Sequence, residues 1–148
     1  MARKIIGLIA GFAAMEIFLF VTFAILYQFL GADGSFRPGT FNITTTWAVF
    51  SIILSLLGAV DGGLVCMLVA KHKGTVLVLA SFVLVFGISS AIPKISIPVA
   101  GSDQIRVGYI SGIEAMRKAI QPVSVLLITP VISAAGIFLG GSLIKPKR

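Results

Sequence analysis

Residues Trp47–Ala70 read WAVFSIILSLLGAVDGGLVCMLVA, 24 residues of almost unbroken apolar character. As a helix rising 1.5 Å per residue this stretch is about 36 Å long, enough to cross the roughly 30 Å hydrocarbon core of a bilayer. One carboxylate, Asp61, sits inside it, flanked by Gly58, Gly62 and Gly63. Ser51, Ser55, Gly58, Gly62 and Cys66 recur at spacings of three and four, which puts them on one helical face. In lipid the hydrophobic effect does not drive helices together, so they associate where small residues let their backbones approach. The stretch is therefore predicted to be a transmembrane helix with a packing face, and Asp61 stands at the edge of that face.

Three more apolar runs lie on either side of it: Ile5–Leu30, Thr75–Ile92 and Val123–Ile144. With residues 47–70 they predict an all-α integral membrane protein, one domain over residues 1–148 with four transmembrane helices. Composition agrees. Of the 148 residues 57% are hydrophobic and only 11% charged, where a soluble domain carries about 25% charged residues. Mean hydropathy is +1.09. The formal charge of +7 would suggest nucleic acid in a soluble chain, but here the bases sit at the ends of apolar runs, where they orient a membrane protein. No nucleic-acid partner is expected.

The first run is about 39 Å long as a helix, so it should tilt or extend into the interface. Met1-Ala-Arg-Lys4 resembles the charged start of a signal peptide, but the run behind it is too long and contains Glu16, so it is expected to stay attached. Gly31, Gly34, Pro38 and Gly39 mark the first loop as turns. The short turn Lys71–Gly74 predicts that spans two and three pack as antiparallel neighbours. Pro93 is expected to end span three. Pro130 falls inside span four and frees the carbonyl of Leu126, which predicts a kink with the Thr129 hydroxyl placed to help. Trp47, Tyr27 and Tyr109 are expected as anchors at the membrane interface.

The last loop carries a short amphipathic helix, predicted for residues 111–121. Ser111-Gly-Ile-Glu114 is a capping-box pattern. Ile113, Met116 and Ile120 share one face, and Glu114, Arg117, Lys118 and Gln121 take the other. Such a helix lies in the headgroup plane or docks a partner. For orientation, one side carries Arg3, Lys4, Lys71, Lys73, Lys145, Lys147 and Arg148 and no acid. The other mixes Arg37, Lys94, Arg106, Arg117 and Lys118 with Asp33, Asp103 and Glu114. The positive-inside rule then predicts both termini in the cytoplasm, and the expected location is a bacterial cytoplasmic membrane.

The residue inventory restricts the chemistry. A single cysteine, Cys66, excludes an internal disulfide and a C-x-x-C redox site, and a single histidine, His72, excludes a haem held by two histidines of this chain. No metal-ligand cluster and no nucleophile–base–orienter set is present, so neither metal, cofactor nor enzymatic activity is expected. What remains are two acids inside the membrane. Glu16 lies about 17 Å into span one, and Asp61 about 14 Å from the same side in span two. No lysine or arginine lies inside any span to neutralise them. A carboxylate at a helix centre costs roughly 3 kcal/mol on insertion scales, so each group must protonate, find donors or reach water. Small residues predict the packing around them: Gly7 and Gly11 on span one, the stripe from Ser51 to Cys66 on span two, and Gly136 and Gly140 on span four.

Two readings follow. The first is a non-enzymatic accessory or interaction subunit of a membrane complex, with the bilayer and a protein partner or further copies of the chain around it. The second is an oligomeric proton-coupled small-solute transporter or channel in which Glu16 and Asp61 are the proton sites.

Ala13-x-x-Glu16 in the first of four short helices resembles the small multidrug resistance transporters. The tryptophan-containing motif of that family's third helix has no counterpart in Thr75–Ile92, and the long loop and second acid also depart from it. Gly58–Gly63, Glu114–Pro122 and Pro130–Gly141 resemble patterns of a group of small bacterial four-span proteins of uncharacterised function. That resemblance implies four helices and carries over no activity.

Overall fold

The computed structural model describes residues 1–96, 111, 114 and 117–144. They form four helices: α1 Ala2–Ser35, α2 Thr45–Ala70, α3 Lys73–Ser96 and α4 Val123–Ser142. Each is long and apolar enough to cross a membrane, and the fold is all-helical, as expected for an integral membrane protein. The outer surface carries large apolar side chains along its length, among them Ile9, Ile17, Phe20, Leu57, Phe86, Val131 and Phe138. Water would penalise so continuous an apolar surface, and lipid does not.

The packing order around the bundle is α1, α2, α4, α3. The extensive contacts are α1 with α2, α2 with α4, and α3 with α4. This corrects one expectation: α2 and α3, although joined by a short turn, touch only slightly. The small-residue faces of α2 are occupied by α1 and α4, and the α3–α4 contact uses one glycine from each helix. A Cβ at Gly87 of α3 would come 2.7 Å from the Pro130 ring, and one at Gly141 of α4 would come 2.5 Å from Val76. The membrane-depth core is Met15, Ala59, Cys66, Met67, Val76, Leu79, Ala80, Val83 and Ile137. Because Gly7 meets Ala70 and Gly141 meets Val76, the start of α1 and the end of α4 lie at the same end of the bundle.

The other end is closed by a folded cap. Gly31 breaks α1 with φ 64° and ψ −175°, a conformation that glycine adopts without strain. Arg37-Pro38-Gly39-Thr40 then makes a tight turn, with proline followed by a glycine at φ 69° and the Thr40 N–H donating to the Arg37 carbonyl at 3.1 Å. Thr44 caps α2: its hydroxyl accepts from the Trp47 N–H at 3.1 Å and donates to the Gly34 carbonyl at 2.6 Å. Tyr27, Phe36, Phe41, Ile43 and Trp47 pack together beneath this turn. Trp47 and Tyr27 are therefore not lipid-facing anchors but 6% and 7% exposed core residues, because the loop folds back over them. Tyr109 lies outside the described residues.

The last loop joins the same cap. The Ile120 N–H donates to the Phe41 carbonyl at 2.9 Å, and the Ile43 N–H donates to the Ile120 carbonyl at 3.2 Å. Lys118 Nζ lies 5.4 Å from the centre of the Phe41 ring. Within the stretch 111–121, Glu114, Arg117 and Lys118 are helical, and the Ser111 hydroxyl accepts from the Glu114 N–H at 3.4 Å. Glu114 and Lys118 form an ion pair at 2.8 Å. Ala119 and Ile120 are not helical, so the segment leaves the helix before Gln121: Ile120 gives its backbone to the first loop instead. Ile113 and Met116 lie outside the described residues.

The expectation for Pro93 changes as well, and so does the partner expected of Thr129. α3 runs through Pro93 to Ser96. The carbonyl that Pro93 leaves without a partner belongs to Ser89, exposed and near the helix end, where a missing bond costs less than in a buried turn. α4 continues through Pro130, and the Thr129 hydroxyl bonds the Val125 carbonyl at 2.7 Å, not that of Leu126. A threonine hydroxyl in a helix reaches the carbonyl four residues back readily.

Candidate functional site

α1 and α2 pack antiparallel and almost backbone to backbone. Gly7 lies opposite Ala70, Gly11 opposite Cys66, and Met15 opposite Gly62. A Cβ at Gly11 would stand 2.6 Å from both the Cys66 Cβ and the Gly62 carbonyl oxygen. Gly58 is looser, since its neighbours are the side chains of Phe18 and Leu19 at 3.0 and 3.1 Å. Ser51 and Ser55 are buried on the same helix, and the Ser51 hydroxyl is used internally, donating to the Ala48 carbonyl at 2.8 Å.

This register sets Glu16 level with Asp61 across the α1–α2 seam. It does not bring the carboxyls together. Glu16 stands one turn beyond Phe12, whose ring meets Phe82 of α3 edge-to-face at 5.6 Å, so it leaves the seam on the α3 side. Asp61 stands two residues before Gly63, the residue that meets α4, and two residues turn a helix by about 200°. Asp61 therefore points away from α4, on the opposite edge of the seam. Glu16 is exposed on the bundle surface and Asp61 is half-buried. Neither has a hydrogen-bond or ion-pair partner among the described residues.

The second close seam joins α2 to α4. A Cβ at Gly63 would collide with the Ile137 carbonyl oxygen, and one at Gly140 with the Val60 carbonyl. Gly136 faces Ala59, with a Cβ separation of 2.9 Å. Ala59 and Gly63 thus form a second small-residue face that the stripe from Ser51 to Cys66 does not include. Its signal was present as a small-x-x-x-small pair. Between the seams the centre is filled: Met67, Leu79, Cys66 and Ile137 are fully buried. Among the described residues no three His, Cys, Asp or Glu side chains gather as a metal site would require.

The arrangement can hold helices at minimal separation, and it presents an acid midway along an apolar helix on the bundle's outside. Comparison of the chain with protein-family models, curated proteins and solved structures finds no match in any of the three.

Proposed function

We propose that the protein is a non-enzymatic accessory or interaction subunit of a membrane complex, set in a bacterial cytoplasmic membrane with both termini in the cytoplasm. The observation that carries this reading is the outward-facing carboxyl of Glu16, exposed on a helix surface that otherwise meets lipid. An acid facing acyl chains is costly, and acids at this depth normally face a protein interior or a water-filled cavity. A donor on a neighbouring transmembrane helix removes that cost. The filled centre of the bundle supports the same reading, since it leaves packing on the outside as the means of acting. The short amphipathic helix expected in the last loop would lie at the outer headgroup plane, a placement supported by the Ser111 hydroxyl accepting from the Glu114 N–H and by the Glu114–Lys118 pair. Purification from native membranes in mild detergent tests the proposal. A stoichiometric larger assembly, lost when Glu16 is made apolar, is the expected result, and a monomer with and without the substitution overturns it.

One geometric fact favours the second reading, an oligomeric proton-coupled transporter or channel. Glu16 and Asp61 sit at one depth on opposite edges, so a head-to-tail ring of copies sets Glu16 of one protomer toward Asp61 of the next. Two carboxyls so placed share a proton readily. In liposomes holding a pH-sensitive dye this reading expects proton flux, abolished in both Glu16→Gln and Asp61→Asn. Absence of flux in the wild-type protein removes it.

A further inference from the structure

At the end of the bundle where α1 begins and α4 ends, α1 and the start of α3 enclose an open-sided cleft of ≈ 350 Å³. Ile5, Leu8 and Val78 line it with apolar surface, while Lys4 and His72 stand on it with basic groups. The imidazole lies over Gly74, where an added Cβ would come 2.8 Å from His72 Cε1. The Arg3 guanidinium is engaged elsewhere, its Nε donating to the Val69 carbonyl at 2.8 Å. No Asp or Glu occurs in residues 1–15 or 62–80, and Lys71 and Lys73 flank the cleft in sequence. Thr75 lines the same cleft and is 6% exposed, and its buried hydroxyl has no hydrogen-bond partner among the described residues.

We propose that this cleft binds one anionic phospholipid. The acyl chain lies along Ile5, Leu8 and Val78, and the phosphate sits between Lys4 and His72. Basic pockets between transmembrane helices at the cytoplasmic boundary select anionic headgroups. The apolar wall adds what a free anion cannot use, a surface for the chain.

The test is spin-label electron paramagnetic resonance on the full chain in phosphatidylcholine vesicles carrying spin-labelled phosphatidylglycerol or spin-labelled phosphatidylcholine. The wild-type protein should immobilise phosphatidylglycerol in preference. Lys4→Gln with His72→Gln should lower that preference roughly fivefold or more, the effect of about one base near the surface. Val78→Trp, at a position 55% exposed, fills the cleft without entering the core and should lower it as much. Gly74→Ala, which only pushes the imidazole aside, should lower it less. Lys94→Gln, an exposed base at the far end of α3, should leave it unchanged. Unchanged preference in both Lys4→Gln/His72→Gln and Val78→Trp overturns the proposal. So does an equal loss in Lys94→Gln, which would mark a diffuse charge effect, or displacement of the labelled lipid by excess inorganic phosphate, which would mark an anion site without a chain.

Discussion

Gly63 of α2 and Ile137 of α4 meet backbone to backbone: a side chain at Gly63 would run into the Ile137 carbonyl oxygen. Gly140 makes the reciprocal approach from α4, against the Val60 carbonyl. Because the obstacle is backbone, relief requires the helices to separate. Gly63→Ala should therefore destabilise the bundle by about 1–3 kcal/mol, the usual cost of overpacking, and Gly63→Leu by more. Unfolding by sodium dodecyl sulfate in mixed micelles, followed by circular dichroism, measures this. Wild-type stability in Gly63→Ala would show that the seam is not closed as described.

The α1–α2 seam gives an internal contrast. Gly11 abuts the Gly62 carbonyl and the Cys66 Cβ, both rigid, whereas Gly58 abuts the movable ends of Phe18 and Leu19. Gly11→Ala is expected to cost about 1–3 kcal/mol and Gly58→Ala roughly 1 kcal/mol or less. Cys66 reports the difference. It is the chain's single cysteine and is fully buried against this seam. Maleimide labelling of the native protein should be slow in the wild type and in Gly58→Ala, and faster in Gly11→Ala. Equal labelling in all three would remove the distinction.

The spans were readable because twenty-odd consecutive apolar residues have one stable solution in lipid. The small-residue face of α2 toward α1 was readable from spacing alone. The face toward α4 is harder to see because Ala59 and Gly63 interleave with the first stripe, and a helix with two small faces looks like a helix with one broad face. The cap was not legible. Its apolar residues Phe36, Phe41 and Ile43 come from a loop without periodicity, and their burial depends on Gly31 turning the chain back and on Ile120 arriving from the other loop. Trp47 and Tyr27 therefore read as surface anchors, since an aromatic at a span end has the same local pattern whether lipid or a folded loop covers it. The acids were half legible. Depth follows from residue count, but the edge on which each leaves the seam depends on which face of each helix is used.

The cap depends on Thr44, whose hydroxyl both accepts from the Trp47 N–H and donates to the Gly34 carbonyl. Thr44→Ala should cost about 1 kcal/mol as a lost helix cap and leave the Gly34 carbonyl without its hydroxyl donor. Thr44→Ser keeps both bonds and should behave as wild type. The chain has a single tryptophan, Trp47, 6% exposed beneath the cap, so its emission reads the result. A shift to longer wavelength with stronger quenching by acrylamide is expected in Thr44→Ala and not in Thr44→Ser. Gly31→Ala should act in the same direction for a different reason: its φ of 64° strains any side chain, although nothing lies within 4 Å to clash.

Glu16 separates a structural acid from an interacting one. It lies on the outside of α1 and has no partner among the described residues, so the isolated bundle gains nothing from its carboxyl. Glu16→Leu should leave the protomer folded and make its insertion more favourable, by up to roughly 3 kcal/mol on insertion scales. The same substitution should abolish the larger assembly, because it removes the group that a partner helix would bond. Glu16→Gln keeps hydrogen-bonding capacity and should retain the assembly. Blue native electrophoresis of digitonin extracts, with circular dichroism of the purified chain as the folding control, reads both effects together. Were Glu16→Leu to stay assembled, the contact with a partner would have to lie elsewhere on the bundle. Were Glu16→Gln to stay assembled yet lose proton flux in liposomes, the carboxyl would be a proton site and not a packing group, and the transport reading would replace the accessory one.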